Sequence, residues 1–393
     1  MAIVLGLITA VGPFAIDMYL PALPSMGRSL AAGPAAVQMS LMAFFITIGI
    51  CQLFYGPLSD IIGRKLPIYA GLGIFAAGSI GCALAPGIDS LIGFRVVEAF
   101  GACAGMVVPR AIVRDLHTGH DATRLMSLLM LVVSISPILA PLTGSFVIAS
   151  FGWRGVFAVL TLAAVLGFLL AATQLRETRP AAQRRGSSWR GAFAAYRMLA
   201  RDGEFLGLSL VGALGISSFF VYLGSASFVL IGYYGLTPKL FSLCFALNAA
   251  SFFGCSQLTG RLTQRFGLVA VIRAGVAGFA LAMVALAGLT LAGVGALAVM
   301  MALLFLGYGF LGLVLPTTAV MALERHGEIA GTASALMGSM QMIVGSAIMA
   351  LAGLFANGRP APMLLGIAAC AAAAFAVAWA ALRRVPAAVP DAA

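Results

Sequence analysis

The sequence predicts an all-α polytopic membrane protein of twelve transmembrane helices, arranged as two six-helix halves. Three observations predict it. Of 393 residues, 62% are hydrophobic and only 9% are charged, whereas a soluble domain carries about 25% charged residues. Apolar runs of about 20 residues recur along the chain, each long enough to cross a hydrocarbon core of about 30 Å at about 1.5 Å per residue. Arg and Lys gather in every second loop, the distribution that marks cytoplasmic loops.

The runs place the spans at 2–24, 36–58, 66–86, 90–113, 124–148, 154–175, 204–232, 239–260, 267–289, 293–320, 329–356 and 360–382. If they alternate, the basic segments at 63–65, 114–124, 261–267, 324–328 and 383–384 all fall on one side. So does the longest polar stretch, 176–203, with Arg176, Arg179, Arg184, Arg185, Arg190, Arg197 and Arg201. Both termini are therefore expected in the cytoplasm. The first run lacks a basic leader and a small-residue cleavage pattern, so it reads as a retained span.

The basic stretch divides the chain into an N-terminal half at 1–175, a cytoplasmic linker at 176–203 and a C-terminal half at 204–393. An internal repeat supports the division. "GPLSDIIGRK" at 56–65 follows span 2 and "GRLTQRFGLV" at 260–269 follows span 8, sharing G-x-L-x-x-x-x-G at an offset of 204 residues. Two six-span halves in parallel repeat are the layout of a transporter whose substrate binds near the midplane.

Other classes find no support. The net charge of +11 follows the loops rather than forming a nucleic-acid patch. The six cysteines stand singly in apolar segments without metal-ligand spacing and read as small core residues. His117, His120 and His326 fall in loops without such spacing. There is no phosphate-binding GxxxxGK[ST] and no G-x-S-x-G with His-Asp partners, so neither direct ATP drive nor an enzyme is expected.

The first-half repeat, with Gly56, Asp60, Gly63 and Arg64, resembles the signature G-x-L-[AS]-D-x-x-G-R-[RK] of the major facilitator superfamily. A glycine-flanked turn there holds an Asp beside an Arg-Lys pair at the membrane face, where a carboxylate can favour a helix N-terminus. The resemblance makes the motif a latch for the outward-facing state; a topological anchor is the plainer reading. Span 5 contains "SPILAPLTGS", similar to the antiporter signature of that superfamily, with Ala140, Pro141 and Gly144. Small residues four apart allow close helix approach, Pro141 bends the helix, and the resemblance makes the segment a hinge and seal.

Charges inside spans mark a pathway or a buried pair. Asp17 sits in "FAIDMYLPALP", where Pro13, Pro21 and Pro24 predict a bent or broken outer end. Arg95 and Glu98 in span 4 are three apart and can share a helix face. Counting inward, Arg95 lies roughly 8 Å deep, Glu98 roughly 12 Å and Asp17 roughly 10 Å, so all three can meet at one level. Such a group can couple transport to protons, or the charges can form a static clip between spans 1 and 4. At the inner end of span 4, Arg110 and Arg114 share a face, with Asp115 beside the second. Arg114 is expected in a network with Asp60, and the deeper Arg110 in the cavity. The second half has no carboxylate mid-span. Its polar and aromatic candidates for a cavity are Phe220, Tyr222, Asn248 and Gln341, to which Tyr19 is added from span 1.

Together, "IDMYLPALP", "GPLSDIIGRK", "RAIVRDL", "APLTGS…GWRGVF" and "AGTASAL" (330–336) resemble the bicyclomycin-resistance (Bcr/CflA) family of drug:proton antiporters, from span 1 to span 11. The resemblance implies the major facilitator fold and export of small molecules across a bacterial inner membrane, driven by inward proton flow without cofactor or metal. It makes Asp17 the coupling carboxylate, Arg95 its basic partner and Arg110 a functional arginine. Glu98 departs from the family's glutamine, and span 1 lacks a second acid, Thr9 lying two turns inward of Asp17. The expected function is efflux of hydrophobic or amphiphilic antibiotics by alternating access. Export of a physiological solute such as an amino acid or short peptide is the alternative. The expected partners are substrate, protons and the lipid bilayer, with the chain a monomer.

Overall fold

A computed structural model describes residues 2–116, 119–180, 184 and 188–383. His117, Arg185, Arg384 and the side chain of His120 lie outside the described residues.

Eleven helices among the described residues are long and apolar enough to cross a membrane. Spans 1 to 4 are Ile3–Ser29, Pro34–Ile62, Lys65–Leu84 and Ile88–Leu116. Spans 7 to 12 are Gly203–Tyr233, Pro238–Phe266, Leu268–Leu291, Leu297–Glu324, Gly327–Leu354 and Pro360–Leu382. Between these groups lies one element of 51 residues, Arg124–Gln174. At about 1.5 Å per residue it would be about 76 Å long, more than twice the hydrocarbon thickness. It is divided at Gly152, whose φ of 69° and ψ of −175° lie outside the helical region and suit a residue without Cβ. The element therefore supplies spans 5 and 6, and the count of twelve is met.

Local chemistry sets the ends. Pro34, Pro238 and Pro360 stand in the first turn of spans 2, 8 and 12, where a missing N–H costs no helical bond. The Thr237 hydroxyl accepts from the Leu240 N–H at 3.3 Å and caps span 8. Span 1 is interrupted. Its first segment, Ala2–Asp17, ends at the carboxylate, and a 3₁₀ turn at Leu20–Ala22 leads into Leu23–Ser29. Leu131, Leu166, Leu281 and Leu351 are exposed along the spans, as lipid-facing positions should be.

The chain forms two compact units, Met1–Ala194 and Ala195–Ala393. In the first, span 4 packs on spans 1, 2 and 3; in the second, span 10 packs on spans 7, 8 and 9. The repeated motif has a repeated turn as well. Gly63 (φ 96°, ψ 173°) and Gly267 (φ 80°, ψ 155°) end spans 2 and 8 in the same left-handed conformation. That conformation strains any residue with a Cβ, which explains why this glycine is shared by the two copies.

Candidate functional site

The first unit holds a buried charged cluster where spans 1, 3 and 4 meet. Arg95 Nη1 donates to Glu98 Oε2 at 2.6 Å, and both side chains are 0% exposed. Glu98 is held from span 3 too: the Ser79 hydroxyl donates to its Oε1 at 2.6 Å and the Cys82 thiol lies 3.8 Å from Oε2. Arg95 Nη1 also donates to the Ala15 carbonyl at 3.1 Å. That oxygen belongs to the last turn before span 1 breaks, where carbonyls lack helical partners and a cation is favoured. The rest of the guanidinium is sandwiched between aromatic faces. Its carbon lies 4.0 Å from the Phe44 ring centre and 4.6 Å from that of Tyr19. Tyr19 is positioned by its hydroxyl, 3.3 Å from that of Ser40, and by the Phe157 ring.

Asp17 ends the helical segment that Arg95 caps. It is only 4% exposed, and no group among the described residues hydrogen-bonds or ion-pairs with its side chain. The sequence level of the three charges is thus matched by a different pairing. Arg95 reaches span 1 at a backbone carbonyl rather than at Asp17, because Glu98 stands one turn away on its own helix. Ser79 and Cys82, three apart on span 3, were not expected from the sequence. Tyr19 serves as a wall of the Arg95 pocket.

The antiporter-like segment touches the same place. Ala140 is buried, Pro141 lies within the helix, and a Cβ on Gly144 would collide with the Met18 carbonyl oxygen. Gly144 therefore lets span 5 rest directly on the backbone break next to Asp17.

At the other end of this unit, Arg64 ties three segments together. It pairs with Asp60 at 2.7 Å, takes Asp115 in a two-pronged contact at 2.7 and 3.2 Å, and donates to the Ser59 hydroxyl at 2.7 Å. The Thr178 hydroxyl donates to Asp115, and Arg179 pairs with Asp60 at 3.3 Å. Glu177 accepts from the backbone N–H groups of Arg64, Lys65 and Arg179 at 2.9, 3.3 and 3.0 Å, so it caps span 3. Burial raises the Glu177 carboxyl, but these N–H groups and the Arg184 guanidinium outweigh it and hold it below the usual range. A Cβ on Gly63 would press on Arg184 and Glu177 at 2.5 Å. A Cβ on Gly56 would meet open space, and the Gly56 carbonyl accepts from the Ser59 hydroxyl at 2.9 Å.

The span-4 partner in this network is Asp115, not Arg114. Arg114 is exposed and makes no hydrogen bond or ion pair among the described residues, since it lies one position round the helix from the acid facing Arg64. The contribution of Glu177 was missed, hidden in a stretch that reads as solvated basic linker. Arg110 is exposed though it lies six residues inside span 4, and likewise has no partner among the described residues.

In the second unit Tyr222 accepts from Asn248 Nδ2 at 3.1 Å, both residues fully buried. Tyr222 stacks on Phe245 at 5.8 Å and 13°, with Tyr308 at 5.7 Å and Phe219 at 6.3 Å. The buried Asn248 Oδ1 has no partner among the described residues. The Phe220 ring fills the space beside Gly345, and Gln341 lies beside Gly212.

Residues 5–350 match the Major Facilitator Superfamily. The MFS-type transporter YdgK of Bacillus subtilis (strain 168) is 35% identical over 90% of this chain and 88% of its own length. Multidrug resistance protein D of Escherichia coli (strain K12) is 33% identical over 88% and 86%. A bicyclomycin resistance protein homolog of Haemophilus influenzae is 28% identical over 93% and 92%. Among solved structures, a D-xylose-proton symporter superposes with a TM-score of 0.75 over 98% of both chains at 15% identity, a likeness of fold alone. The motifs, the repeated six-span packing and these relatives lead to one conclusion: the chain belongs to the Major Facilitator Superfamily of membrane transporters.

Proposed function

We propose that this protein exports small hydrophobic or amphiphilic drugs in exchange for protons, by alternating access, with Asp17 as the proton-carrying group. The observation that carries the reading is the contrast between the two buried acids. Glu98 is held by Arg95, Ser79 and Cys82, whereas Asp17 is equally secluded and has no partner among the described residues. A carboxylate in that position can take up and release a proton without first breaking an ion pair. Glu98 cannot, because losing its charge would strand the fully buried Arg95 cation without a counter-charge.

Asp17 also stands where movement is easiest to transmit. It ends the first segment of span 1, its neighbour Met18 rests on Gly144 of span 5, and Arg95 holds the carbonyl two residues earlier. A change of charge at Asp17 would act on the joint between spans 1, 4 and 5. The names of the relatives, which include multidrug and bicyclomycin resistance, support drugs as the cargo. The aromatic wall around Tyr222 suits flat apolar molecules, with Asn248 as a polar handle. The working form is a monomer in a bacterial inner membrane with both termini in the cytoplasm, drawing on the proton gradient without a cofactor.

Proteoliposomes test the coupling. An imposed pH gradient should drive uptake of a fluorescent drug by the unaltered protein and not by Asp17→Asn. Gradient-driven uptake that survives in the variant would remove Asp17 from the role. A resistance panel in cells lacking their own pumps, set beside amino-acid and peptide export, separates drugs from physiological solutes.

A further inference from the structure

The basic stretch that follows span 6 has a chemistry of its own that transport does not use. From Thr178 to Arg201 the chain carries six arginines and no acidic residue. Within it lies a helix, Trp189–Leu199. At about 100° per residue, Trp189, Phe193 and Tyr196 share one face. Arg190 and Arg197 form an adjoining stripe, continued by Arg201 just past the helix end. All three arginines are exposed, and none has a hydrogen-bond or ion-pair partner among the described residues.

The aromatic face fixes the depth of the helix. Trp189 and Phe193 pack on Phe54 of span 2, with centroids 6.2 and 6.4 Å apart. Phe54 lies eight residues, or about 12 Å, before the Ile62 end of its helix. Span 2 has 29 residues, so it is about 43 Å long and exceeds a core of about 30 Å by roughly 6 Å at each end. Phe54 then sits just inside the hydrocarbon edge, the level at which interfacial helices bury their apolar faces. Phe54 covers this face incompletely, for Phe193 remains 55% exposed and Trp189 37% exposed. The helix stops at Leu199 and span 7 begins at Gly203, so the chain has no slack to leave the surface.

We propose that the Trp189–Leu199 helix is a lipid-binding element, its aromatic face in the acyl boundary and Arg190, Arg197 and Arg201 on the phosphates of anionic phospholipids. Charge complementarity selects the partner. An uncompensated basic stripe beside an aromatic face, held at a membrane edge, attracts anionic headgroups. The inference needs only the membrane-spanning architecture and not the proposed proton coupling, so the failure of one leaves the other standing.

The test uses the full chain with Trp153→Phe and Trp379→Phe, leaving Trp189 as the one tryptophan of three. It is reconstituted in vesicles of three parts phosphatidylcholine to one part phosphatidylglycerol, with bromine on either lipid as a quencher. Brominated phosphatidylglycerol should quench Trp189 more strongly per mole than brominated phosphatidylcholine, by about twofold or more. Arg190→Gln, Arg197→Gln and Arg201→Gln together should erase the difference, and the matching lysine variant should keep it. If the glutamine variant cannot be reconstituted, high salt replaces it and should erase the preference in the arginine protein. Equal quenching by both lipids, no quenching by either, or a preference indifferent to charge removal and to salt would each overturn the proposal.

Discussion

The Arg95 guanidinium donates to the Glu98 carboxylate at 2.6 Å with both side chains fully buried. The energetic weight of such a pair is felt when one member is lost. Glu98→Ala should lower unfolding stability in detergent by about 3 to 5 kcal/mol, since Arg95 is left buried and uncompensated. Replacing both Arg95 and Glu98 with alanine should cost less than the sum of the two single alanine changes. Thermal unfolding of the four proteins in a double-mutant cycle checks it, and additive losses would mean that the two charges do not depend on each other.

Gly144 faces the Met18 carbonyl with no room for a side chain. Gly144→Val should therefore push span 5 off the break in span 1, with a stability loss of about 1 to 3 kcal/mol and loss of drug resistance in cells. Ser145→Ala, next along the helix, should leave both near the unaltered level. Growth on drug plates and melting curves read the two effects separately.

Much of the architecture was legible in the sequence for physical reasons. Lipid demands long apolar helices, so the spans are written in composition. Depth comes from counting residues, which placed Asp17, Arg95 and Glu98 at one level. Counting gives no azimuth between helices, however, and azimuth decided that Arg95 meets span 1 at the Ala15 carbonyl and the Tyr19 ring rather than at Asp17. The same limit exchanged Arg114 for Asp115 at the inner network. Glu177 was illegible for another reason: a single acid among arginines looks like solvated linker until the fold lays it over the first turn of span 3. Ser79 and Cys82 resemble ordinary small helix-packing residues and gave no signal.

The inner network gives a pH dependence. Glu177 is held below its ordinary value of 4.5, so the folded form binds its proton less readily than the unfolded form. Its contribution is complete above that value and is lost as pH falls through the lower folded value. Amide hydrogen exchange at Arg64 and Lys65, corrected for the intrinsic pH dependence of exchange, should be slow at neutral pH and quicken as pH falls through the lowered Glu177 value. In Glu177→Gln, which offers one acceptor oxygen and no charge, it should be fast throughout.

Arg110 is a cation within span 4 that has no partner among the described residues. Arg110→Gln should weaken export of drugs bearing a carboxylate or sulfonamide anion by about tenfold, a difference of about 1.4 kcal/mol, and leave neutral drugs nearly unchanged. Arg110→Lys should keep part of the preference. Resistance profiles for matched charged and neutral compounds decide it, and an equal loss for both classes would assign Arg110 to structure.

The role of Asp17 is tested most directly by the proton itself. Purified protein in detergent in a weakly buffered solution, mixed with drug, should release protons into the medium. Asp17→Asn should bind the drug and release none. Glu98→Gln, where it folds, should still release protons. Unaltered release from Asp17→Asn would contradict the assignment and move the coupling to Glu98.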